Sequence, residues 1–255
     1  MEIDLNADVG EGFGAYALGN DEALLGLVSS ANIACGFHAG DPQVMERTVS
    51  FALRGGAALG AHPGYPDLQG FGRRSLSMTE NEVYAITLFQ VGALRAFARA
   101  AGAELRHVKP HGALYNDAAV DPARARGIVR AVKAAGGELR LVGLPASRME
   151  SAAGEAGIPY VREFFADRAY LDDGTLVPRS RPGSVILDKD ECVSRVLRAI
   201  RDGTVLSAAG TLVPIRAETV CLHGDNPEAV AFARRLRSAL EAEGIAVRAP
   251  GIGRE

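Results

Sequence analysis

The sequence contains no tryptophan, and aromatic residues make up only 6% of its 255 residues. Proteins that bind single-stranded nucleic acids stack bases on aromatic side chains, so this composition does not favour such a surface. Lysine and arginine form no basic block, and the formal net charge is −3. Both observations argue against nucleic acid as a partner.

Cysteine is also scarce, with Cys35, Cys192 and Cys221 as the three examples and no CxxC pair. An odd number without paired spacing argues against a disulfide framework and against a structural zinc site. No apolar run approaches the roughly 18 residues of a membrane span, and the acidic start does not resemble a signal peptide. We therefore expect a soluble, reduced, cytoplasmic protein without a membrane partner.

Nucleotide-binding fingerprints are missing as well. Gly10, Gly12 and Gly14 have the wrong spacing for a GxGxxG turn, and their loop is acidic, which would repel a pyrophosphate. No GxxxxGK[ST] motif occurs, so the chain carries no P-loop of its own. This absence does not exclude ATP binding by another mode, and it leaves open that a partner supplies the nucleotide site.

What the sequence does contain is an alternation of strand-like and helix-like segments. Asp41-Pro42 begins one helix that ends at Gly55-Gly56, and Thr79 forms a capping box with Glu82. Strands are predicted at Glu2–Asn6, Ala31–Phe37, Ala57–Ala61, Leu105–Lys109, Leu139–Leu144, Pro159–Phe165, Glu218–His223 and, more weakly, Ile245–Arg248. Seven or eight βα units in about 250 residues predict an α/β fold, a single distorted (β/α) barrel domain over residues 1–255.

Two segments, Pro63–Met78 and Ala166–Pro182, are predicted to be long loops of the kind that often bind ligands. Polar residues follow nearly every predicted strand, and all five histidines belong to this set. In a parallel barrel these strand ends converge at the carboxyl face, where active sites form. We expect a catalytic set there, comprising Asp8, His38, His62, Lys109 and His111.

Residues 4, 6 and 8 lie on one side of the first strand because side-chain direction repeats every two residues. We therefore expect Asp4 and Asn6 to point with Asp8 into the barrel mouth. Two chemistries remain open at this point. Asp8 with His62 and His111 could bind a divalent metal, or Lys109 could bind an anionic substrate while a histidine acts as acid or base.

Six segments carry a family resemblance. They are DLNADVGEGFG (Asp4–Gly14), NIACGFHAGDP (Asn32–Pro42), GAHPGYPD (Gly60–Asp67), VKPHGALYN (Val108–Asn116), EFFADRAY (Glu163–Tyr170) and CLHGDNP (Cys221–Pro227). In sequence and order these segments resemble the LamB/YcsF family, whose fold is similar to the barrels of the glycoside hydrolase/deacetylase group. The motifs run through almost the whole chain.

The resemblance implies the role of the A subunit in ATP-dependent opening of 5-oxo-L-proline to L-glutamate, with 5-oxoprolinase subunits B and C as partners and ATP as co-substrate. In related deacetylases an Asp and two His bind a divalent metal, which implies Asp8, His62 and His111 here. We assign the remaining strand-end polar residues to substrate binding, namely Asp4, Asn6, Glu11, Asn32, Glu163, Arg168, His223 and Asp225. The alternatives are a free-standing metal-dependent deacetylase of small acylated sugars and a non-catalytic binding subunit.

Overall fold

The computed structural model describes residues 1–223 and 228–251. Its strands in chain order are β1 (Glu2–Val9), β2 (Ser30–Ala34), β3 (Ala58–His62), β4 (His107–Val108), β5 (Arg140–Gly143), β6 (Tyr160–Phe165), β7 (Thr204–Leu206), β8 (Leu212–Pro214), β9 (Thr219–His223) and β10 (Ala246–Val247). β1 to β6 and β9 pair in parallel, and β9 pairs with β1. The predicted barrel is therefore confirmed, with seven strands and a closed sheet.

Helices surround the barrel and are α1 (Asp21–Leu25), α2 (Pro42–Gly55), α3 (Glu80–Ala100), α4 (Gly112–Val120), α5 (Pro122–Ala135), α6 (Arg148–Ala156), α7 (Lys189–Arg201) and α8 (Ala229–Ala242). The predicted caps form, since Asp41 accepts hydrogen bonds from the first turn of α2 and Thr79 completes a capping box with Glu82. These side chains satisfy backbone N–H groups that would otherwise lack a partner.

Several elements were not predicted. The antiparallel hairpin of β7 and β8 and the short helices α1, α4 and α6 fall between the expected elements. β1 continues to Val9, three residues beyond its predicted end, because both β2 and β9 pair with this part of the strand. The predicted start of the last helix at Asn226-Pro227 lies outside the described residues.

Asp4 does not reach the barrel mouth, contrary to expectation. Its register partner is Thr219, whereas Asp8 is opposite His223, so Asp4 lies about 13 Å lower along β1. Hydroxyl groups of Ser29 and Ser30 donate to its Oδ1 at 2.6 and 2.8 Å. The alternation of side chains along a strand gives the inward direction of Asp4 but not its depth within the barrel. Asp4 lies deep in the barrel interior, beside Ser30 and Thr219, and we call this level the floor of the barrel.

Cys35, Cys192 and Cys221 are buried free thiols. Among the described residues, no helix is both long enough and apolar enough to cross a membrane.

The buried Asp4 carboxyl predicts a pH-dependent stability. Burial raises its pKa to about 6, above the roughly 3.9 of an unfolded chain, despite the hydroxyl donors that favour the charged form. The native state thus binds this proton more tightly, and stability falls as pH rises from about 4 to 6. Relative to Asp4→Asn, the wild type should lose about 2 kcal/mol of unfolding free energy over that range.

Urea unfolding at pH 4.5, 5.5, 6.5 and 7.5 measures this difference. Glu155→Gln, which changes an exposed carboxyl, is the control and should track the wild type at every pH. A constant difference between wild type and Asp4→Asn across the series would show that Asp4 does not titrate in this range.

Candidate active site at the carboxyl end of the barrel

A cavity of about 500 Å³ opens at the carboxyl ends of the barrel strands. It is bounded by the ends of β1, β3, β4 and β6, by α4, and by loop residues 171–180. The predicted site residues that line it are Asp8, Glu11, His62, Lys109, His111 and Arg168. The long loop after β6 therefore forms part of the cavity wall.

Other predicted residues occupy different positions. Asn6, Asn32 and Glu163 are buried beneath the cavity, and Asp4 lies further down at the floor. His38 stacks on His111 with ring centroids 3.7 Å apart. His223 ends β9, but its side chain and the whole of Asp225 lie outside what the structure describes.

The Lys109 ammonium lies at the centre of the site and is only 2% exposed. Its Nζ lies 2.9 Å from Asp8 Oδ1, 2.8 Å from Glu163 Oε1, 3.1 Å from Asn6 Oδ1 and 3.0 Å from Cys221 Sγ. Burial alone would lower its pKa, but these negative and polarisable neighbours outweigh burial and raise the pKa well above its ordinary value. Lys109 is therefore a permanent buried cation.

A second set of hydrogen bonds fixes the side-chain amides of Asn6 and Asn32, which lie beneath the cavity. Asn32 Nδ2 donates to Asn6 Oδ1 at 2.6 Å and to Asp8 Oδ1 at 2.9 Å. Its carbonyl oxygen therefore faces His107 Nε2 at 2.8 Å, which makes that nitrogen the donor. Burial and the nearby Lys109 charge lower the pKa of His107 to about 3, so it is neutral at pH 7.

Backbone carbonyls set the tautomers of two histidines. His62 Nδ1 donates to the Lys109 carbonyl at 2.6 Å, and His111 Nε2 donates to the Phe71 carbonyl at 2.8 Å. A carbonyl can only accept, so in a neutral ring the remaining nitrogen carries a lone pair. These two atoms, His62 Nε2 and His111 Nδ1, face each other at 3.0 Å. Two facing lone pairs repel unless a proton or a cation lies between them.

Glu11 and His38 complete a cluster around this pair. Glu11 Oε1 lies 3.4 Å from His38 Nε2 and 3.5 Å from His111 Nδ1. One ligand atom from each of these residues and from His62 fall within 4.8 Å of one another, and all four side chains are buried. Burial and neighbouring histidines lower the pKa of His38 and of His111 well below 6.5. This His/Glu cluster could hold a metal ion.

The cluster differs from the predicted ligand set. It shares His62 and His111 with that set and adds Glu11 and His38. Asp8 is adjacent, because its Oδ2 lies 3.4 Å from His62 Nε2.

Two glycines lie directly against the cluster. A Cβ at Gly64 would lie 2.6 Å from His38 Nδ1, and one at Gly72 would lie 2.7 Å from His38 Cβ and 2.9 Å from His111 Cδ2. Phe71, which precedes Gly72 and offers the carbonyl to His111, adopts a positive φ of 54°. The 63–78 segment thus holds the histidines in place, a role that its loop-like sequence did not indicate.

Sequence reasoning missed several contributors. Cys221 had no predicted role at the site, yet its sulfur accepts a hydrogen bond from Lys109. Tyr115, Arg73 and Arg179 line the cavity but carry no strand-end signal that would have selected them. The sequence placed the site at the carboxyl face of the barrel but did not indicate that its central residues are buried.

The comparisons with known proteins agree with one another. A profile of the LamB/YcsF family matches residues 3–252. A curated protein named as the A subunit of 5-oxoprolinase, from Geobacillus kaustophilus, is 55% identical over 248 residues, covering 97% of this chain and 96% of that protein. One of the same name from Methylococcus capsulatus is 54% identical over 249 residues, with 98% and 96% coverage.

A solved structure gives the same picture. The lactam utilization protein from Thermus thermophilus is 51% identical, with a TM-score of 0.92, and the match covers 98% of this chain and 100% of that one.

The buried Lys109 cation predicts a large stability effect. Lys109→Met leaves the carboxylates of Asp8 and Glu163 buried without their counter-charge, so the free energy of unfolding should fall by about 3–5 kcal/mol. Adding Glu163→Gln removes one of the two uncompensated charges and should restore part of this loss. Denaturant unfolding of the single and double variants measures both effects.

Lys133→Met is the matched control because Lys133 is exposed, and it should change stability by less than about 0.5 kcal/mol. A Lys109→Met variant as stable as the control would mean that the ammonium and the carboxylates are not coupled in the native state.

Proposed function

Because the chain belongs to the LamB/YcsF family, we propose that it is the lactam-opening A subunit of an ATP-dependent 5-oxoprolinase. The observation that carries the proposal is the identity of 54–55% to curated relatives of that name over nearly their full length. The site supports it, because a carboxylate, a buried lysine and a histidine cluster converge on one cavity. Such a set suits hydrolysis of an amide.

The chemistry of the substrate explains the use of ATP. A five-membered lactam is a stable amide, and its uncatalysed hydrolysis is slow. Transfer of the γ-phosphoryl group of ATP to the amide oxygen releases ADP and makes the ring carbon electrophilic. Water then adds to that carbon, the ring C–N bond breaks to free the amine, and a second water hydrolyses the resulting acyl phosphate to L-glutamate and phosphate. The sequence has no P-loop, so the nucleotide site lies either on this chain in another binding mode or on the partner subunits B and C.

Asp8 is the base in this proposal. Its Oδ1 accepts from Lys109 and Asn32, which turns Oδ2 toward His62 and the cavity. The carboxylate would take a proton from the attacking water. Lys109 holds this carboxylate in place, because four acceptors already surround its three N–H groups. It therefore positions the base instead of binding the substrate oxyanion.

A divalent cation fits the His/Glu cluster. The facing lone pairs of His62 and His111 and the carboxylate of Glu11 form a typical donor set, and His38 lies within the same group. When bound there, a divalent cation supplies Lewis-acid stabilisation of the negative charge that develops on the substrate oxygen.

Asp8→Asn and His62→Ala should each lower glutamate formation by about 10²–10⁴-fold in the complex reconstituted with subunits B and C. The first variant loses the proton acceptor, and the second loses a cluster ligand. A coupled assay of glutamate and ADP release, with each subunit omitted in turn, measures this effect. The chain alone should show little turnover of 5-oxoproline.

Glu155→Gln, an exposed change, should leave turnover at the wild-type rate. Near-normal glutamate formation in both site variants would place the reaction elsewhere. Hydrolysis of acylated sugars by the isolated chain without ATP would instead support the deacetylase alternative.

Metal binding can be tested on the isolated chain. After treatment with a chelator, titration calorimetry with Zn²⁺ or Mn²⁺ should show one site, and His38→Ala or His111→Ala should weaken it at least about 10-fold. His107→Gln is the control, since His107 is buried in the same barrel but lies outside the cluster. Equal affinities in all variants would exclude the cluster as the binding site.

A further inference from the structure

Arg168 is a buried cation that has no ion-pair partner among the residues that the structure describes. It is only 3% exposed, and its described hydrogen bonds go to two backbone carbonyls. Its Nε donates to the Ser184 carbonyl at 3.2 Å and its Nη2 to the Val177 carbonyl at 2.6 Å. These neutral carbonyls orient the side chain but do not neutralise it. A buried charge left this way is unfavourable unless a ligand completes its surroundings.

The remaining face of Arg168 borders the cavity. Its Nη1 makes no hydrogen bond within the described part of the chain, and the side chain lines the cavity wall. In Arg168, Nε and Nη2 are held by carbonyls, and the Nη1 group is left as a donor beside the cavity. Guanidinium groups bind oxyanions through such N–H donors.

Two further arginines line the same cavity. Arg73 lies on the 63–78 segment, with its guanidinium 4.9 Å from the Phe71 ring centre. Arg179 lies on the loop that follows β6. Burial, then the charge of Arg179 and, more weakly, that of Arg73, outweigh the opposing charge of Asp167 and lower the pKa of Arg168 to about 10. Arg168 therefore stays cationic at pH 7. An anion bound beside Arg168 would also be attracted by the charges of Arg73 and Arg179, which each make other contacts as well.

Apolar side chains complete this part of the wall. Leu144, Phe165 and Leu176 line the cavity together with the arginines. A small ligand with a negatively charged group and an apolar ring edge would satisfy both kinds of surface.

We propose that Arg168, assisted by Arg73 and Arg179, forms an oxyanion subsite that holds the carboxylate of the lactam substrate. This assignment rests on the proposed function. The carboxylate binds at the arginines, and the ring methylenes pack on the apolar wall. The amide is then free to face Asp8 and the His/Glu cluster. The subsite makes the carboxylate, and not the lactam ring alone, the main determinant of affinity.

Calorimetric binding of 5-oxoproline and of 2-pyrrolidone, the same lactam without the carboxylate, tests the subsite on the isolated chain. Arg168→Gln should weaken 5-oxoproline binding about 10- to 100-fold, the range expected for a hydrogen-bonded charge pair. Arg179→Gln should weaken it less, by a few-fold. Binding of 2-pyrrolidone should be weak in the wild type and unaffected by either change.

Arg181→Gln is the matched control, because Arg181 is exposed on the same loop and does not line the cavity. It should bind 5-oxoproline within about twofold of the wild type. Arg168→Lys keeps the charge and should retain part of the affinity. Unchanged 5-oxoproline binding in both Arg168→Gln and Arg179→Gln would overturn the proposal.

A second arm does not depend on the substrate. Acetate should raise the melting temperature of the wild type more than chloride does at equal ionic strength, and Arg168→Gln should abolish that difference. If this holds while 5-oxoproline fails to bind, the subsite stands and the proposed function fails. If inorganic phosphate binds in an Arg168-dependent way and 5-oxoproline affinity is unchanged, the subsite takes a phosphoryl group and the carboxylate assignment is wrong.

Discussion

The rest of the site depends on one buried ammonium group. Lys109 has three protons and four acceptors, supplied by three different barrel strands. Each acceptor is buried and would be unfavourable without this cation, and the cation would be unfavourable without them. Closing the barrel and assembling the active site are therefore the same event. The Asp8 carboxylate owes its orientation to this arrangement.

Strand-end reasoning predicted much of the site because a parallel barrel brings those ends to one face. For that reason His62, Lys109 and His111 line one cavity, as expected. The sequence could not show how deep each residue lies, so Asp4 was expected at the mouth but belongs to the floor. Depth depends on strand register, and register follows from pairing with β2 and β9, which are distant from β1 along the chain.

The surroundings of the histidines were less predictable still. Their tautomers are set by carbonyls, which every residue possesses, so no side-chain pattern reveals them. The Phe71 carbonyl reaches His111 only because the 63–78 segment folds back over the cluster, with glycines where a Cβ would strike a ring. The short helices were missed for a related reason. α4, for example, begins at Gly112, and its N-cap residue His111 makes no side-chain capping hydrogen bond.

The closure between β1 and β9 has a consequence for biosynthesis. β1 leaves the ribosome long before its edge partners, because β9 begins at Thr219 and β10 at Ala246. Until they emerge, β1 has a β2 partner on one side and an open edge on the other. The polar residues of β1 that are buried inside the closed barrel are then exposed to water. A nascent chain stalled before β9 would thus be an unclosed sheet, prone to pairing with other strands.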